Sequence, residues 1–336
     1  MATPANELPR NERSGGQVDG VILVDKPSQL SSNAAVQSVR RLLGWGKAGH
    51  TGTLDPLATG LLLVCLGECT KFAGVPLEAD KTYEAVVRLG LATDSGDAEG
   101  APVFEGPVDG CLDRLPEVLG QFRGRFEQLP PMFSALKHDG RPLYAYARAG
   151  TEVPRALRPV RVDWLEIVSV SEQEVTIKVR CSKGMYVRTL AHDIGMRLGC
   201  GAHLRALRRT QIGRLSVTEA ISLDALAGLT PAQRLAHVRP ADSVLLDLPL
   251  VELDDRAAQT VLQGRQVETS SLSPQGTVRL YDPHGNFLGL GSVQEDNRVT
   301  PKRMCSRRLP GVALSGHTAL EGTSAQSVKW RVFPET

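Results

Sequence analysis

The stretch Lys47-Ala-Gly-His-Thr-Gly-Thr-Leu-Asp-Pro-Leu-Ala-Thr-Gly-Leu-Leu-Leu-Val64 constrains this chain more than any other. Its first half, Lys47 to Thr59, reads as a Gly-, Thr- and Pro-rich loop with one carboxylate, Asp55, and one imidazole, His50. Its second half, Leu61 to Leu66, is an almost unbroken apolar run, which predicts a strand buried on both faces. A loop anchored to a rigid buried strand can hold a reactive group still. Pro56 fixes its own φ and biases Asp55 towards extended backbone, so the carboxylate is restrained from both sides. An isolated Asp-Pro in a loop is by default a tight turn with a solvated or capping carboxylate. The rest of the chain must decide whether this one does chemistry.

A length of 336 residues suits two domains or one large domain with an appendage. The net charge of +2 argues neither for nor against a nucleic-acid partner, but its distribution is polarised. Arg180 to Arg214 holds eight Lys/Arg against Asp193 alone, whereas Leu77 to Leu119 holds ten Asp/Glu against three Lys/Arg. Such a chain can present one basic face to phosphates, although solvated helix faces would look similar. The six cysteines at 65, 69, 111, 181, 200 and 305 form no C-x-x-C pair and have no His partners at zinc spacing. They read as small core residues of a reducing compartment. Met1 to Gln17 lacks the apolar core of a signal peptide, and no apolar run approaches the length of a membrane span. The expectation is a cytoplasmic protein with no membrane, metal or cofactor partner.

Taken in order, residues 1–18 read as a disordered tail. Gly20 to Pro27 is a short apolar strand entering a turn, and Ser31 and Ser32 are candidate N-caps for a helix through Leu43 that Gly44 ends. Gly44 to Gly49 satisfies G-x-G-x-x-G, but it follows a helix and opens the Asp55 loop, the reverse of a dinucleotide fingerprint. Thr82 to Leu89 alternates as a strand with Tyr83, Ala85, Val87 and Leu89 on one side. Asp94 to Gly100 lacks the ligand pattern of a calcium loop and is expected to be a turn without chemistry. Cys111 to Phe122 reads as a helix, and Val162 to Val170 and Val175 to Cys181 as strands. Val187, Leu190, Ile194 and Leu198 recur at helical spacing, which puts Arg188 in a first turn. From Leu248 onward, short strands alternate with Gly, Asp-Pro-His-Gly and Asp-Asn turns, the texture of a small β-rich module. Residues 305–336 are Gly-, Ser- and Thr-rich and expected to be loose.

Three stretches carry a family resemblance: Gly49 to Leu62, Leu129 to Arg148, and Cys181 to Gly195. The first closely resembles the catalytic motif of the bacterial tRNA pseudouridine-55 synthases, the TruB family, and the other two are similar to further signatures of that family. The resemblance is strong over about residues 20–230 and weak beyond. It implies an α+β fold, the pseudouridine-synthase fold, with a mixed, mostly antiparallel central sheet flanked by helices. The implied plan is a catalytic domain over 19–246, a PUA-like RNA-binding module over 247–304 and a loose extension over 305–336. An RNA-gripping insertion is expected at about 129–160. Its Lys137, His138, Arg141 and Arg148 interleave with Tyr144 and Tyr146, a composition suited to phosphate contact and base stacking.

The implied reaction breaks the N1–C1′ bond of uridine 55 in the T-loop, rotates the uracil and rejoins it through C5. It has no net redox change, and its one requirement is a carboxylate acting as nucleophile or base. The resemblance assigns that role to Asp55. It makes Arg188 the cation that keeps Asp55 ionised once RNA excludes water, with its planar fork gripping the carboxylate bidentately. It makes Tyr83 an active-site aromatic that stacks on the uracil and serves proton transfer, although an ordinary inward-facing strand residue fits Tyr83 equally well. The target base must leave its stack; His50 resembles the residue that stacks in the vacated space, and Leu207 the apolar wall over the uracil. Lys26 resembles a basic residue near the pocket entrance, and Lys137 and Arg141 are expected to bind substrate. The partner is tRNA through its T-stem-loop, and the protein is expected to be a monomer. Two readings of other classes remain: an RNA-binding, tRNA-folding protein using the same surface, and a guide-RNA-dependent homologue that works with partner proteins.

Overall fold

In the computed structural model of the protein, which describes residues 19–44, 46–269 and 274–312, the chain begins with Gly20–Lys26 as strand β1, buried along nearly its whole length. A turn leads to helix α1 (Ser32–Leu43). Ser31 caps it by accepting from the Ala34 amide, and Gly44 ends it at φ 71, in the left-handed region that glycine enters without steric cost. Ala48–Thr51 forms β2 and Thr59–Leu66 forms β3, and the two pair antiparallel from Ala48↔Leu66 to Thr51↔Leu63. The expected loop from Lys47 to Thr59 is therefore shorter, because Ala48 to Thr51 is a strand at the edge of β3 and only residues 52–58 are loop.

The apolar run after Asp55 is buried as its composition predicts, with Leu61 to Leu66 at zero exposure. β3 lies between β1 and β8 (Ala202–Ile212); the other members of the sheet are β4 (Lys81–Leu89), β5 (Gly124–Gln128), β6 (Arg158–Val170), β7 (Glu174–Cys181) and a short β9 (Ile221–Ser222). The order β9-β1-β3-β8-β4-β7-β6-β5 is antiparallel at every step except β9 with β1 and β3 with β8. It is a mixed, mostly antiparallel sheet in an α+β fold, as expected. Helices α2 (Cys111–Gly120) and α3 (Val187–Leu198) bury Leu115, Val118, Leu190 and Ile194 in one core with Val87, Ile177 and Leu204 of the sheet. Helix α1 covers a second core around Ile22, Leu62 and Val64.

The parallel pair of β3 and β8 has one demanding position. Gly60 stands opposite Arg209 at φ 102, and a Cβ there would lie 2.3 Å from the Arg209 carbonyl oxygen. Only glycine permits the two backbones to approach so closely at the end of the Asp55 loop.

Beyond residue 246, β10 (Leu250–Glu252), helix α4 (Asp255–Leu262), β11 (Val267–Glu268), β12 (Gly276–Tyr281), β13 (Asn286–Val293) and β14 (Arg298–Pro310) form a five-stranded sheet with one helix. Its Tyr281, Phe287, Leu290, Cys305 and Leu309 share a core with Val21, Leu63, Cys69 and Phe72 of the first part of the chain. The Phe72 and Phe287 rings meet edge to face at 5.2 Å. A buried polar set lies beside them: the Tyr281 hydroxyl donates to Asp242 Oδ2 (2.6 Å), Arg279 donates to that hydroxyl (3.0 Å), and the Val312 amide also donates to Asp242 Oδ2 (2.8 Å). Residues 305–310 are thus strand with Cys305 buried, not part of a loose extension. The expected tail at 1–18 and the stretch 313–336 lie outside the described residues.

Candidate active site

Asp55 stands in the tight loop between β2 and β3, and its neighbours on both sides are fixed. Leu54 is buried, and the Ser32 hydroxyl both donates to its carbonyl (2.9 Å) and accepts from its amide (2.8 Å). The Pro56 carbonyl accepts from the Gln29 amide (2.8 Å) and, at 3.4 Å, from the Lys26 ammonium. Ala58 is fully buried, and its amide donates to the Asp55 carbonyl. The backbone is therefore held at 54, 55, 56 and 58, while the Asp55 side chain remains 39% exposed.

Arg188, in the first turn of α3, points at that carboxylate from below. Its Nε donates to Asp55 Oδ2 at 2.9 Å, Nη1 donates to the Ser95 carbonyl at 3.0 Å and Nη2 to the Phe133 carbonyl at 2.7 Å. The expected bidentate grip is not present: a single N–H reaches Asp55, and the rest of the fork is spent on two loop carbonyls. A second carboxylate, Asp97, lies 3.6 Å from Nε and is 7% exposed. Asp97 accepts from the Ser95 hydroxyl (2.6 Å) and the Glu99 amide (3.1 Å). The turn from Asp94 to Gly100, which carried no chemical expectation, is the cradle of the guanidinium. Its short polar residues resemble any surface turn in sequence, and only the fold brings it over α3.

Tyr83 lies on β4 with its ring packed on the main core, directly opposite Arg209 of β8. Burial pushes its phenol above the ordinary tyrosine range, and the Arg209 guanidinium beside it pulls the other way. Leu207, two residues earlier on the same strand as Arg209, is buried in that core. His50 is on β2, opposite Val64. Its imidazole is shifted to lower pKa by burial and then by Arg209, and its Nδ1 is buried without a hydrogen-bond partner among the described residues.

Lys26 is not at an entrance. Its side chain is fully buried, and the ammonium donates to the carbonyls of Pro27 (2.8 Å) and Leu30 (2.7 Å) as well as Pro56. Burial brings its pKa down to about 8, with Asp55 opposing. It braces the turn before α1 against the Asp55 loop.

Lys137 and Arg141 are in the segment between β5 and β6, where Lys137–His138 pairs with Arg141–Pro142 and leads into a short helix, Leu143–Ala147. Both are exposed, and neither is in an ion pair among the described residues. The Arg141 guanidinium lies 4.9 Å over the Tyr146 ring, and Arg148 lies 5.5 Å over Tyr144. The root of this segment is tied to α3, because the Gln128 side chain accepts from the Tyr186 amide (2.8 Å) and donates to its carbonyl (3.1 Å).

The basic run from Arg180 to Arg214 does not make an open basic face. Arg188 and Arg209 are buried, Arg180 faces Asp80 and Asp163, and Lys183 pairs with Glu78. Arg205 pairs with Glu174, Arg208 with Asp25 and Arg214 with Asp247. The fold sets most cations of this run beside acids from elsewhere in the chain; Arg197 instead donates to Gln121 and lies over the Phe122 ring. Sequence patterning also missed Ser32, Asp97 and Arg209 as parts of the site; for Ser32 the visible signal, a helix-capping residue, pointed to a different job.

Comparison with known proteins places the chain in a family. Residues 40–187 match the TruB family pseudouridylate synthase N-terminal domain, 188–246 the tRNA pseudouridylate synthase B C-terminal domain, and 249–305 the pseudouridine synthase II TruB C-terminal domain. The chain is similar to tRNA pseudouridine synthase B of Aromatoleum aromaticum, with 53% identity over 86% of this chain and 93% of that one. It is 52% identical to the protein of that name from an Azoarcus species, over 85% and 95% of the two chains. Among solved structures, a Cbf5-Nop10-Gar1 complex matches with a TM-score of 0.64 and 26% identity, covering 85% of this chain and 84% of that one. With the Asp55 loop, all of the sheet beneath it but β1, and most of the C-terminal module inside the matched spans, the chain belongs to the TruB family of pseudouridylate synthases.

Proposed function

We propose that Asp55 is the carboxylate with which this chain, a tRNA pseudouridine synthase by its family, isomerises uridine 55 of the T-loop to pseudouridine. One observation carries the assignment: the 2.9 Å contact joins a cation that is 5% exposed to a carboxylate that is 39% exposed. The cation is built into the fold and the carboxylate faces outward, as a reacting group on a fixed electrostatic mount requires. A flipped uridine placed against Asp55 would have Tyr83 and Leu207 as its apolar surroundings, and Asp55 would act on it as nucleophile or base.

Substrate is gripped by the segment between β5 and β6. Lys137 and Arg141, both exposed, meet phosphates of the T-stem-loop, and His50, its imidazole shifted to lower pKa by burial, stacks where the base has left. Asp97 holds Arg188 from the other side. The enzyme works alone as a cytoplasmic monomer, without metal or cofactor.

The test is release of tritium from C5-labelled uridine in unmodified tRNA by the purified protein, alone and after EDTA. Full release is expected, together with loss of turnover in Asp55→Asn while tRNA affinity stays within a few-fold. A protein that binds and folds tRNA without turnover would release nothing. A guide-dependent one would release tritium only with added RNA and partner proteins.

A further inference from the structure

We propose that Arg209 is a positioning residue, which fixes the two ends of the Asp55 loop to each other and to Tyr83. Its guanidinium is inside the protein at 1% exposure and has no carboxylate partner among the described residues. Nη2 donates to the Gly52 carbonyl at 2.9 Å, where the chain leaves β2, and Nε donates to the Leu61 carbonyl at 2.8 Å, where it has re-entered β3. Its backbone pairs with Gly60 on one side and with Tyr83 on the other. The loop that carries Asp55 is therefore closed through one side chain, and the same side chain stands beside the buried Tyr83 phenol.

A buried guanidinium without a counter-ion is costly, and a neutral residue would fill this space at less cost. Its charge is felt across the site. It opposes the effect of burial on Tyr83, and it adds to burial in lowering His50 and Lys26. The planar fork explains the choice of residue, because its Nε–H and Nη2–H have a fixed separation and direction that meet the Leu61 and Gly52 carbonyls together, whereas an ammonium turns freely on a flexible stem. Ser32, Gln29 and Lys26 hold the middle of the loop. Arg209 holds its ends, and these are the points through which strain would pass when RNA is drawn against Asp55.

The proposal rests on Asp55 being the reacting carboxylate, so Asp55→Asn is measured alongside as the control for that reading. The variants are Arg209→Lys, which keeps the charge and loses the fork, and Arg209→Gln, which loses the charge. Three quantities are read on each folded variant: the affinity for unmodified tRNA, the single-turnover rate at saturating tRNA, and hydrogen exchange. In Arg209→Lys the single-turnover rate is expected to fall 10- to 100-fold with affinity within threefold of the parent. Amides of 52–60 should exchange faster while those of 62–66 keep their protection. A rate within twofold of the parent, or unchanged exchange at 52–60, overturns the positioning role while Asp55→Asn remains inactive. Failure of both variants to give a cooperative melt overturns it too, since Arg209 would then be needed for the fold itself. Turnover by Asp55→Asn would instead remove the reading of Asp55.

Discussion

The Ser32 hydroxyl donates to the carbonyl of Leu54 and accepts from its amide, so one buried oxygen closes both backbone groups of the residue before Asp55. Ser32 is the first residue of α1, and the helix is thereby fastened to the loop at its N-terminus. The arrangement reproduces the two bonds of a strand pair without a strand. It holds the backbone that aims Asp55 without touching the carboxylate.

Ser32→Ala removes that partner from two backbone groups out of reach of solvent. Each polar group left unsatisfied costs about 1–3 kcal/mol. The melting temperature should fall by several degrees, on the scale of roughly 2–4 °C per kcal/mol for domains of about 150–250 residues. The single-turnover rate should fall at least tenfold with tRNA affinity nearly unchanged. Differential scanning fluorimetry and quench-flow on the same preparation check both. An unaltered rate would make the Ser32 contact irrelevant to aiming Asp55.

The buried strand after Asp55, the capped helix before it and the first-turn place of Arg188 could all be read from apolar spacing and capping residues. What could not be read was the division of labour among polar groups. Arg188 was expected to spend its fork on Asp55, but its Nη atoms go to the carbonyls of Ser95 and Phe133, and a backbone carbonyl leaves no mark on sequence. Family resemblance alone, carried by the short Asp-Lys-Pro match, places Lys26 at the entrance; three carbonyls at a turn, which leave no mark on sequence, hold it buried. The basic run looked like a phosphate-binding face because sheet order, which sets Arg208 beside Asp25 and Arg205 beside Glu174, is not local information.

Truncation near Leu246 should do more than weaken RNA binding. It uncovers Cys69, Phe72 and Leu63, which pack with Phe287, Leu290 and Leu309. Burying a large apolar side chain contributes roughly 1.5–3 kcal/mol, so losing several such contacts approaches the whole stability of a typical domain, about 5–15 kcal/mol. The truncated protein is expected to lose cooperative melting or to aggregate. A soluble fragment with the parent's melting temperature would show that the shared core is dispensable.

Lys26 and Lys81 give a pH dependence whose sign can be worked out. Burial lowers both from 10.5 to about 8 in the folded state. Between about pH 8 and 10.5 the unfolded chain holds more protons than the folded one, so these groups make stability rise with pH there; below pH 8 their cost is fully present. Cys181 and Cys305, pushed up to about 12, act in the opposite direction above about pH 9. Comparing Lys26→Met with the parent cancels the cysteines. The parent should gain in melting temperature relative to the variant from pH 8 to 10. A difference that is flat or shrinking with pH would show that the Lys26 ammonium is not destabilised by burial.

Arg188→Lys tests whether charge alone supports Asp55. A lysine ammonium could reach Asp55 Oδ2, but it cannot also satisfy the carbonyls of Ser95 and Phe133, which the guanidinium meets at 3.0 and 2.7 Å. If Arg188 serves only as a point charge, the variant should keep most of its rate. The geometry favours a different outcome, because the two carbonyls set the angle at which Nε meets the carboxylate, and Asp97 at 3.6 Å competes for any cation free to move. The ammonium of the Arg188→Lys variant would be drawn towards Asp97, which is almost wholly buried, and away from Asp55. Losing charge-assisted contacts once bound RNA has closed the site to water should cost roughly 2–4 kcal/mol, or about 30- to 1000-fold in rate. Arg188→Lys combined with Asp97→Asn should recover part of that loss, since the competitor is then neutral. Single-turnover rates of the parent, the two single variants and the double variant form the cycle that decides it. A Lys variant within threefold of the parent refutes the orientation argument, and a double variant no faster than Arg188→Lys removes Asp97 as the competitor.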